Sequence, residues 1–115
     1  MDAGEALWVI NETGEPVVSS GVDDSGAGYH EIRAPRPGGK LIVAGRSTSG
    51  DGVLKINSRT GKELIYAGAT DNGGLMSLSN KTGEKIVQLY ADEYGNGVVD
   101  VLNRKGEGRT LTPGP

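Results

Sequence analysis

The stretch at 79–97, SNKTGEKIVQLYADEYGNG, decides the fold, because nearly the same pattern recurs along the whole chain. It contains a turn motif, an apolar strand and a glycine-rich loop. Similar stretches are INETGEPVVSSGVDDSGAG at 10–28 and NSRTGKELIYAGATDNGG at 57–74, and LNRKGEG at 102–108 is a shortened copy. Alignment on the turn glycine gives units spaced by 22–24 residues, beginning near Glu5, Gly28, Gly52, Gly74 and Gly97. Such a fixed period is typical of a repeat architecture.

Each unit begins with a short segment that has the pattern of a β-strand. The segments at 53–56, 75–78 and 98–101 are rich in aliphatic residues, and the second and fourth positions of each are apolar. Alternate residues of a strand point to the same face of a sheet. We therefore predict a core face, to which the returning strands contribute Ile65 and Val87. Its other members are Leu54, Ile56, Met76, Leu78, Val99 and Val101.

A four-residue turn follows the first strand of most units. The turn sequences are NETG, SRTG, NKTG and NRKG, with Asn or Ser first and Gly fourth. This pattern predicts a type I turn that ends in a left-handed glycine and a G1 bulge. The structural turn residues are then Gly14, Gly61, Gly83 and Gly106. In the second unit, APRPG has an extra residue and two prolines, which predicts a different turn.

Composition limits the chain to one β-repeat domain at 1–115, which we interpret as a piece of a longer protein. The net charge is −3 with mixed signs, and no long apolar run is present, so neither a nucleic-acid partner nor a membrane span is predicted. There is no cysteine and no Phe, while 20 of the 115 residues are Gly. Aromatic side chains make up only 4% of the residues. This low content predicts a thin core of Val, Ile and Leu.

The returning strands carry adjacent apolar pairs, such as Leu64-Ile65 and Ile86-Val87. Adjacent residues point to opposite faces, so both faces require cover that a lone hairpin cannot supply. In the last unit Arg109-Thr110 replaces the pair, which indicates an array of about four and a half hairpins. Three all-β arrangements provide cover: an intertwined oligomeric prism or fibre, a single-chain β-solenoid, or an oligomeric β-propeller. No segment has the apolar spacing of a helix.

The repeated pattern G-φ-φ-x-φ-x-N-x-x-G, in which φ is apolar, resembles the β-structured shafts of trimeric bacterial surface proteins and phage fibres. The resemblance extends over residues 5–112. It implies a trimer and a non-enzymatic structural role, as a segment of a stalk or fibre at a cell or phage surface. Among the three arrangements it favours the oligomeric prism or fibre.

Enzymatic chemistry finds no support in the sequence. There is no thiol, and the single histidine, His30, occupies the repeat position of Leu54 on the predicted core face. In a symmetric oligomer, copies of His30 would meet and hold a metal ion or an anion, so it is the weak metal candidate. We predict no cofactor. The loops DDSGAG, DNGG and DEYGNG carry carboxylates for calcium, but their register shifts between units, which favours ordinary turns.

Carbohydrate binding is the alternative function, in an oligomeric propeller or prism lectin. Sugar rings stack on exposed aromatic side chains, and Trp8, Tyr90 and Tyr94 are the candidates. A repeat lectin would place a ring at the same position of each unit. Here Trp8 aligns with Glu31 and Lys55, so the rings do not recur. The sequence therefore favours the structural role over the glycan-binding one.

Overall fold

The structure, a computed structural model, describes residues 6–114. It is all-β: the described part of the chain contains ten strands and no helix, so none of it forms a helix long and apolar enough to cross a membrane. The strands are β1 Ala6–Ile10, β2 Pro16–Val22, β3 Gly28–Arg33, β4 Lys40–Arg46, β5 Gly52–Asn57, β6 Glu63–Thr70, β7 Gly73–Ser79, β8 Lys85–Ala91, β9 Gly97–Leu102 and β10 Gly108–Leu111.

All ten strands belong to one open antiparallel sheet in the order of the sequence. Each strand pairs with the next one along the chain, so every hairpin continues directly into the following hairpin. A solenoid would instead pair strands one full turn apart, and a propeller would divide the sheet into four-stranded blades. The ten strands form one continuous layer that measures 56 × 31 × 16 Å.

One type of turn joins most of the strands. In it, the first residue donates its N–H to the carbonyl of the fifth, and the fourth donates its N–H to the carbonyl of the first. This pair of bonds closes the turns at 11–15, 23–27, 47–51, 58–62, 80–84, 92–96 and 103–107. The turn at 34–39 differs and contains the cis bond Arg36–Pro37, while 70–73 is shorter. The hairpin geometry therefore recurs at both ends of the strands.

Glycine occupies the fourth position of each of these turns because the backbone there is left-handed. The φ angles are 87° at Gly14, 91° at Gly61, 94° at Gly83 and 86° at Gly106. Glycine populates this region without steric cost, whereas residues with a Cβ atom pay a steric penalty there. In the first four hairpins the register shifts by one residue at the last pair before the turn, for example between Ile56 and Asn57. The extra residue of this bulge lies on the returning strand, as Leu64 does.

The last hairpin lacks this bulge, and its returning strand is shifted by one residue. By the repeat, Thr110 corresponds to Val87 and Val101 corresponds to Leu78. Val87 lies opposite Leu78, so Thr110 is expected opposite Val101. In the structure Arg109 lies opposite Val101 instead, and Thr110 lies opposite Asp100 on the other face. The Thr110 hydroxyl donates to the Asp100 carboxylate at 2.6 Å. A shift of one residue exchanges the two faces of a strand, and here it turns Leu111 toward the face that holds Val99.

A single layer leaves the chain without an interior of its own. The Cα radius of gyration is 17.1 Å, whereas a compact domain of this length has about 13 Å. Among the described residues only Val98 and Ser77 are buried, with 6% and 4% of their surface exposed. The sheet therefore lacks the second layer on which antiparallel sheets normally pack.

Candidate functional site

The strand register collects most of the apolar side chains on one face of the sheet. Directly opposed residues of antiparallel strands share a face, so following the pairs across the sheet identifies two rows. We call the surface formed by these two rows the apolar face. One row is Val9, Val18, Ile32, Ile42, Ile56, Ile65, Leu78, Val87, Val101 and Arg109, and the other is Leu7, Ser20, His30, Ala44, Leu54, Ala67, Met76, Leu89, Val99 and Leu111.

All eight residues predicted for the core lie on this face. In the single chain, however, much of the face remains in contact with solvent. Leu54 and Met76 are each 40% exposed, Ile56 is 37% exposed and Val101 is 58% exposed. These residues therefore form the continuous apolar surface that the sequence predicts, but one chain does not bury it. Their role as the core of an assembly stays a prediction.

The exposed surface of the chain is large for its mass. The accessible area is 7981 Å², whereas a folded monomer of this mass exposes about 6,000 Å². The excess is therefore about 2,000 Å² per chain, which lies in the range of obligate subunit interfaces. Because Ser20, His30 and Arg109 are the only polar members of the two rows, apolar atoms make up most of the face.

The opposite face, which we call the polar face, carries most of the ionic side chains of the strands together with their Trp and Tyr rings. Trp8, Tyr29, Tyr66 and Tyr90 all belong to it. Glycine provides the space for the Tyr66 ring, because a Cβ on Gly68 would lie 3.1 Å from its Cε1 and Oη atoms. A ring over a strand glycine covers backbone that would otherwise be exposed. Tyr94 lies in a turn and is 80% exposed.

An open cleft of about 470 Å³ lies on the polar face of β1–β5 and is lined by Trp8, Tyr29, Glu31 and Lys55, among others. Both carboxylate oxygens of Glu31 are engaged, by Lys40 at 3.0 Å and Arg33 at 2.9 Å. Burial raises the pKa of Glu31, but the two cations outweigh it and lower the pKa overall. The two ion pairs therefore favour the ionised form of Glu31. Of the three predicted glycan-binding rings, Trp8, Tyr90 and Tyr94, only Trp8 lines this cleft. Glycan binding by these residues stays a prediction.

The acidic loops use their carboxylates to close turns. In the first position of the turn, the Asp23 Oδ1 atom accepts the N–H groups of Ser25 and Ala27, and Asp92 does the same for Tyr94 and Asn96. Side chains of Asn and Asp commonly cap turns in this way. Within residues 6–114 no three His, Asp or Glu side chains are grouped so that they could hold a metal ion.

His30 lies in the second row of the apolar face, between Ser20 and Ala44 on the neighbouring strands. Its Nδ1 atom is hydrogen-bonded to the Ser20 hydroxyl, and the residue is exposed in the single chain. The Ser20 hydroxyl thus satisfies one ring nitrogen. A metal or anion site shared between copies of His30 needs further chains, so it stays a prediction.

The hydrogen bonds to Asp23 predict that the stability of the sheet decreases in acid. Its pKa is lowered from 3.8 to about 2, mainly by the hydrogen bond from the Ser25 hydroxyl, with contributions from the Ala27 and Ser25 N–H groups and Arg46. The fold thus favours the ionised form. This contribution to stability is complete above pH 3.8 and is lost as the pH falls through about 2.

Replacing Asp23 with Asn is expected to remove this acid-sensitive contribution. Asn11, Asn80 and Asn103 occupy the same turn position and accept the same pair of N–H groups, so Asp23→Asn keeps the turn. Melting temperatures measured between pH 5 and 2 should therefore fall less steeply for Asp23→Asn than for the unmodified chain. Parallel curves over this interval would contradict the assignment.

The ionic network of the polar face was not predicted from the sequence. Its pairs are Glu31 with Arg33 and Lys40, Asp23 with Arg46 at 3.0 Å, and Lys55 with Glu63 at 3.7 Å. A signal was present, because Trp8, Glu31 and Lys55 align in the repeat and therefore share one row of the sheet.

No protein-family model matches the chain, and no curated protein matches it significantly.

Proposed function

We propose that this chain is a non-enzymatic structural module in which identical copies cover one another's apolar faces. The module would form a segment of a stalk or fibre, on a bacterial or phage surface as the repeat resemblance implies. The continuous apolar face carries this proposal. It extends over all ten strands, and hydrophobic burial at roughly 25 cal/mol per Å² makes so large an exposed area unfavourable in water.

Identical copies fit the apolar face because its two rows continue without interruption from β1 to β10. Sheets that surround a common axis can bring these rows together along the whole length of the module, while the polar faces and turns stay in water. An assembly of two copies or of three copies can cover the excess area of about 2,000 Å² per chain. The number three comes from the resemblance to trimeric shafts, and it places three sheets around one axis as a prism.

Mass measurement tests this proposal directly. Light scattering behind size exclusion should give three times the 11.9 kDa chain, or a multiple of three, together with a β-type circular dichroism spectrum. The mass should stay constant over a wide range of loading concentrations. A folded monomer at all concentrations would overturn the proposal, and a dimer would keep the covered face but exclude the three-sheet prism.

A further inference from the structure

The charged side chains in and beside the turns form two rows at opposite ends of the strands. Each strand pairs antiparallel with the next one along the chain, so successive turns lie alternately at the two ends. We call the charged residues at one end the basic row, which lies at 10–16, 33–40, 57–63, 79–85 and 102–108. We call those at the other end the acidic row, which lies at 22–28, 46–52, 69–74 and 91–97.

The two rows have net charges of similar size and opposite sign. The basic row contains nine Lys and Arg residues and five Glu residues, which gives a net charge of +4. The acidic row contains six Asp and Glu residues and Arg46, which gives a net charge of −5. The mixed composition of the whole chain therefore conceals a separation of charge between the two ends of the strands.

The two rows of one chain are too far apart to neutralise each other. The strands β5 and β6, with six and eight residues, separate the rows by about 20–26 Å. Exposed charges interact weakly beyond the Debye length, which is about 8 Å at physiological ionic strength. Four exposed charged residues also form no ion pair with any other residue in 6–114, namely Lys62, Lys81, Asp71 and Glu93. These side chains are therefore available to a partner.

We infer that the basic row of each copy pairs with the acidic row of the next copy, around an axis parallel to the rows. The inference rests on the proposed function, because covering the apolar faces around a common axis brings the ends of successive sheets together. Rotation about such an axis keeps every copy pointing the same way, so the basic end of one sheet meets the acidic end of the next. A two-fold axis parallel to the strands would instead place each row against its own copy, with like charges in contact.

The turns of the two rows also lie at alternating heights along the axis. Turns of the basic row join β5 to β6 and β7 to β8, whereas the acidic row has the turn between β6 and β7. The heights of successive turns therefore differ by one strand spacing, about 4.8 Å. Rotation about the axis does not change these heights.

Asp71 of one copy therefore comes between the turns 58–62 and 80–84 of the next copy, which carry Lys62 and Lys81. The turn at 92–96, which carries Glu93, comes in the same way between the turns at 80–84 and 103–107. Each acidic turn thus occupies the gap between two turns of the basic row. An external polyanion on the basic row fits less well, because it would leave the acidic row without a partner.

Charge reversal tests the pairing. One two-site variant, Lys62→Glu with Lys81→Glu, changes the basic row, and the other, Asp71→Lys with Glu93→Lys, changes the acidic row. Each places like charges in contact at every junction between copies. Because several exposed pairs are lost at once, we expect each variant to need an at least about tenfold higher chain concentration for half-assembly. Light scattering over a dilution series measures this concentration.

The four-site variant that combines all these substitutions is the matched control. Its reversed residues again face opposite charges, so it should regain most of the assembly that the two-site variants lose. It carries every substitution of both variants, so its recovery excludes misfolding as the cause of their loss. The difference between the unmodified chain and the two-site variants should also shrink at about 1 M salt, where the Debye length is about 3 Å.

Three results would overturn the inference. Either two-site variant could assemble like the unmodified chain, or the four-site variant could assemble no better than the two-site variants. The third is loss of assembly in the basic-row variant alone, together with loss of binding to dextran sulfate, which would assign the basic row to a polyanion. An unmodified chain that stays monomeric would overturn the proposed function itself, whereas an assembly that is insensitive to these substitutions would overturn only the pairing of the rows.

Discussion

Leu78→Asp is expected to abolish assembly and to remove most of the β-sheet signal of the chain. Leu78 lies in β7, between Ile65 and Val87 of the neighbouring strands, in the middle of the apolar face. Burying a leucine side chain contributes about 1.5–3 kcal/mol, and an unpaired carboxylate in its place adds a further cost of several kcal/mol. In a trimer this penalty arises three times at one level of the axis.

Loss of assembly should be coupled to unfolding because the single chain has so little interior. Val98 and Ser77 are the only buried residues in the part of the chain that the structure describes. A dissociated sheet would expose the whole apolar face and retain only its strand hydrogen bonds. Circular dichroism and light scattering on Leu78→Asp should therefore change together rather than show a folded monomer.

Ser79→Asp is the matched control. It introduces the same charge one residue along the strand, on the polar face, where Ser79 lies opposite Lys85. This variant should keep the mass and the spectrum of the unmodified chain. If Leu78→Asp and Ser79→Asp behave alike, the apolar face is not an assembly surface and the proposed function is wrong.

The strands and turns were readable from the sequence because they depend on local chemistry. The segment 53–56 lies within β5 and 75–78 lies within β7. The Asn-x-x-Gly and Ser-x-x-Gly sequences coincide with turns whose glycines have φ near 90°. In both cases a few neighbouring residues determine the backbone, so one sequence is sufficient to predict these elements.

The acidic loops were harder to interpret because their carboxylates are also typical ligands of calcium. Asp23 precedes Gly26 by three residues, as Asn11 precedes Gly14, and both pairs form the same turn. This spacing was visible in the sequence and predicts a repeat of hairpins at both ends of the strands. In the structure Asp23 accepts the two turn N–H groups that Asn11 accepts in its own turn. The aspartate therefore has the same turn-closing role as the asparagine.

Non-local features were not predictable from one sequence. Hairpin patterns do not tell which strand joins the outer edge of each hairpin, since strand pairing inside the chain and between chains satisfies the same alternation. The structure pairs successive hairpins within the chain. The shift of β10 likewise depends on a missing bulge between Val101 and Leu102, and only the register shows that Arg109 takes the place expected for Thr110.

Gly61→Ala is expected to lower the free energy of unfolding by about 1–2 kcal/mol, because an alanine in the left-handed region brings its Cβ close to the carbonyl oxygen. The φ angle of Gly61 is 91°. The neighbouring turn adds a second constraint, since Gly39 donates its N–H to the Arg59 carbonyl at 3.1 Å. A Cβ on Gly39 would lie 2.9 Å from the Gly61 Cα atom, so the contact between the turns requires glycine at position 39. A Cβ on Gly61 would lie 3.5 Å from the Gly39 Cα atom, which is an ordinary contact, so the cost at Gly61 comes from its φ angle.

Gly97→Ala separates this backbone effect from the loss of a glycine as such. Gly97 begins β9, and a Cβ there would meet nothing within 4 Å. Alanine in a strand is favoured over glycine by about 0.5–1 kcal/mol, so this variant should be neutral or more stable. Urea unfolding at one fixed chain concentration compares the variants, because assembly makes stability depend on concentration. Equal midpoints for Gly61→Ala and Gly97→Ala would show that the left-handed turn conformation does not limit the stability of this sheet.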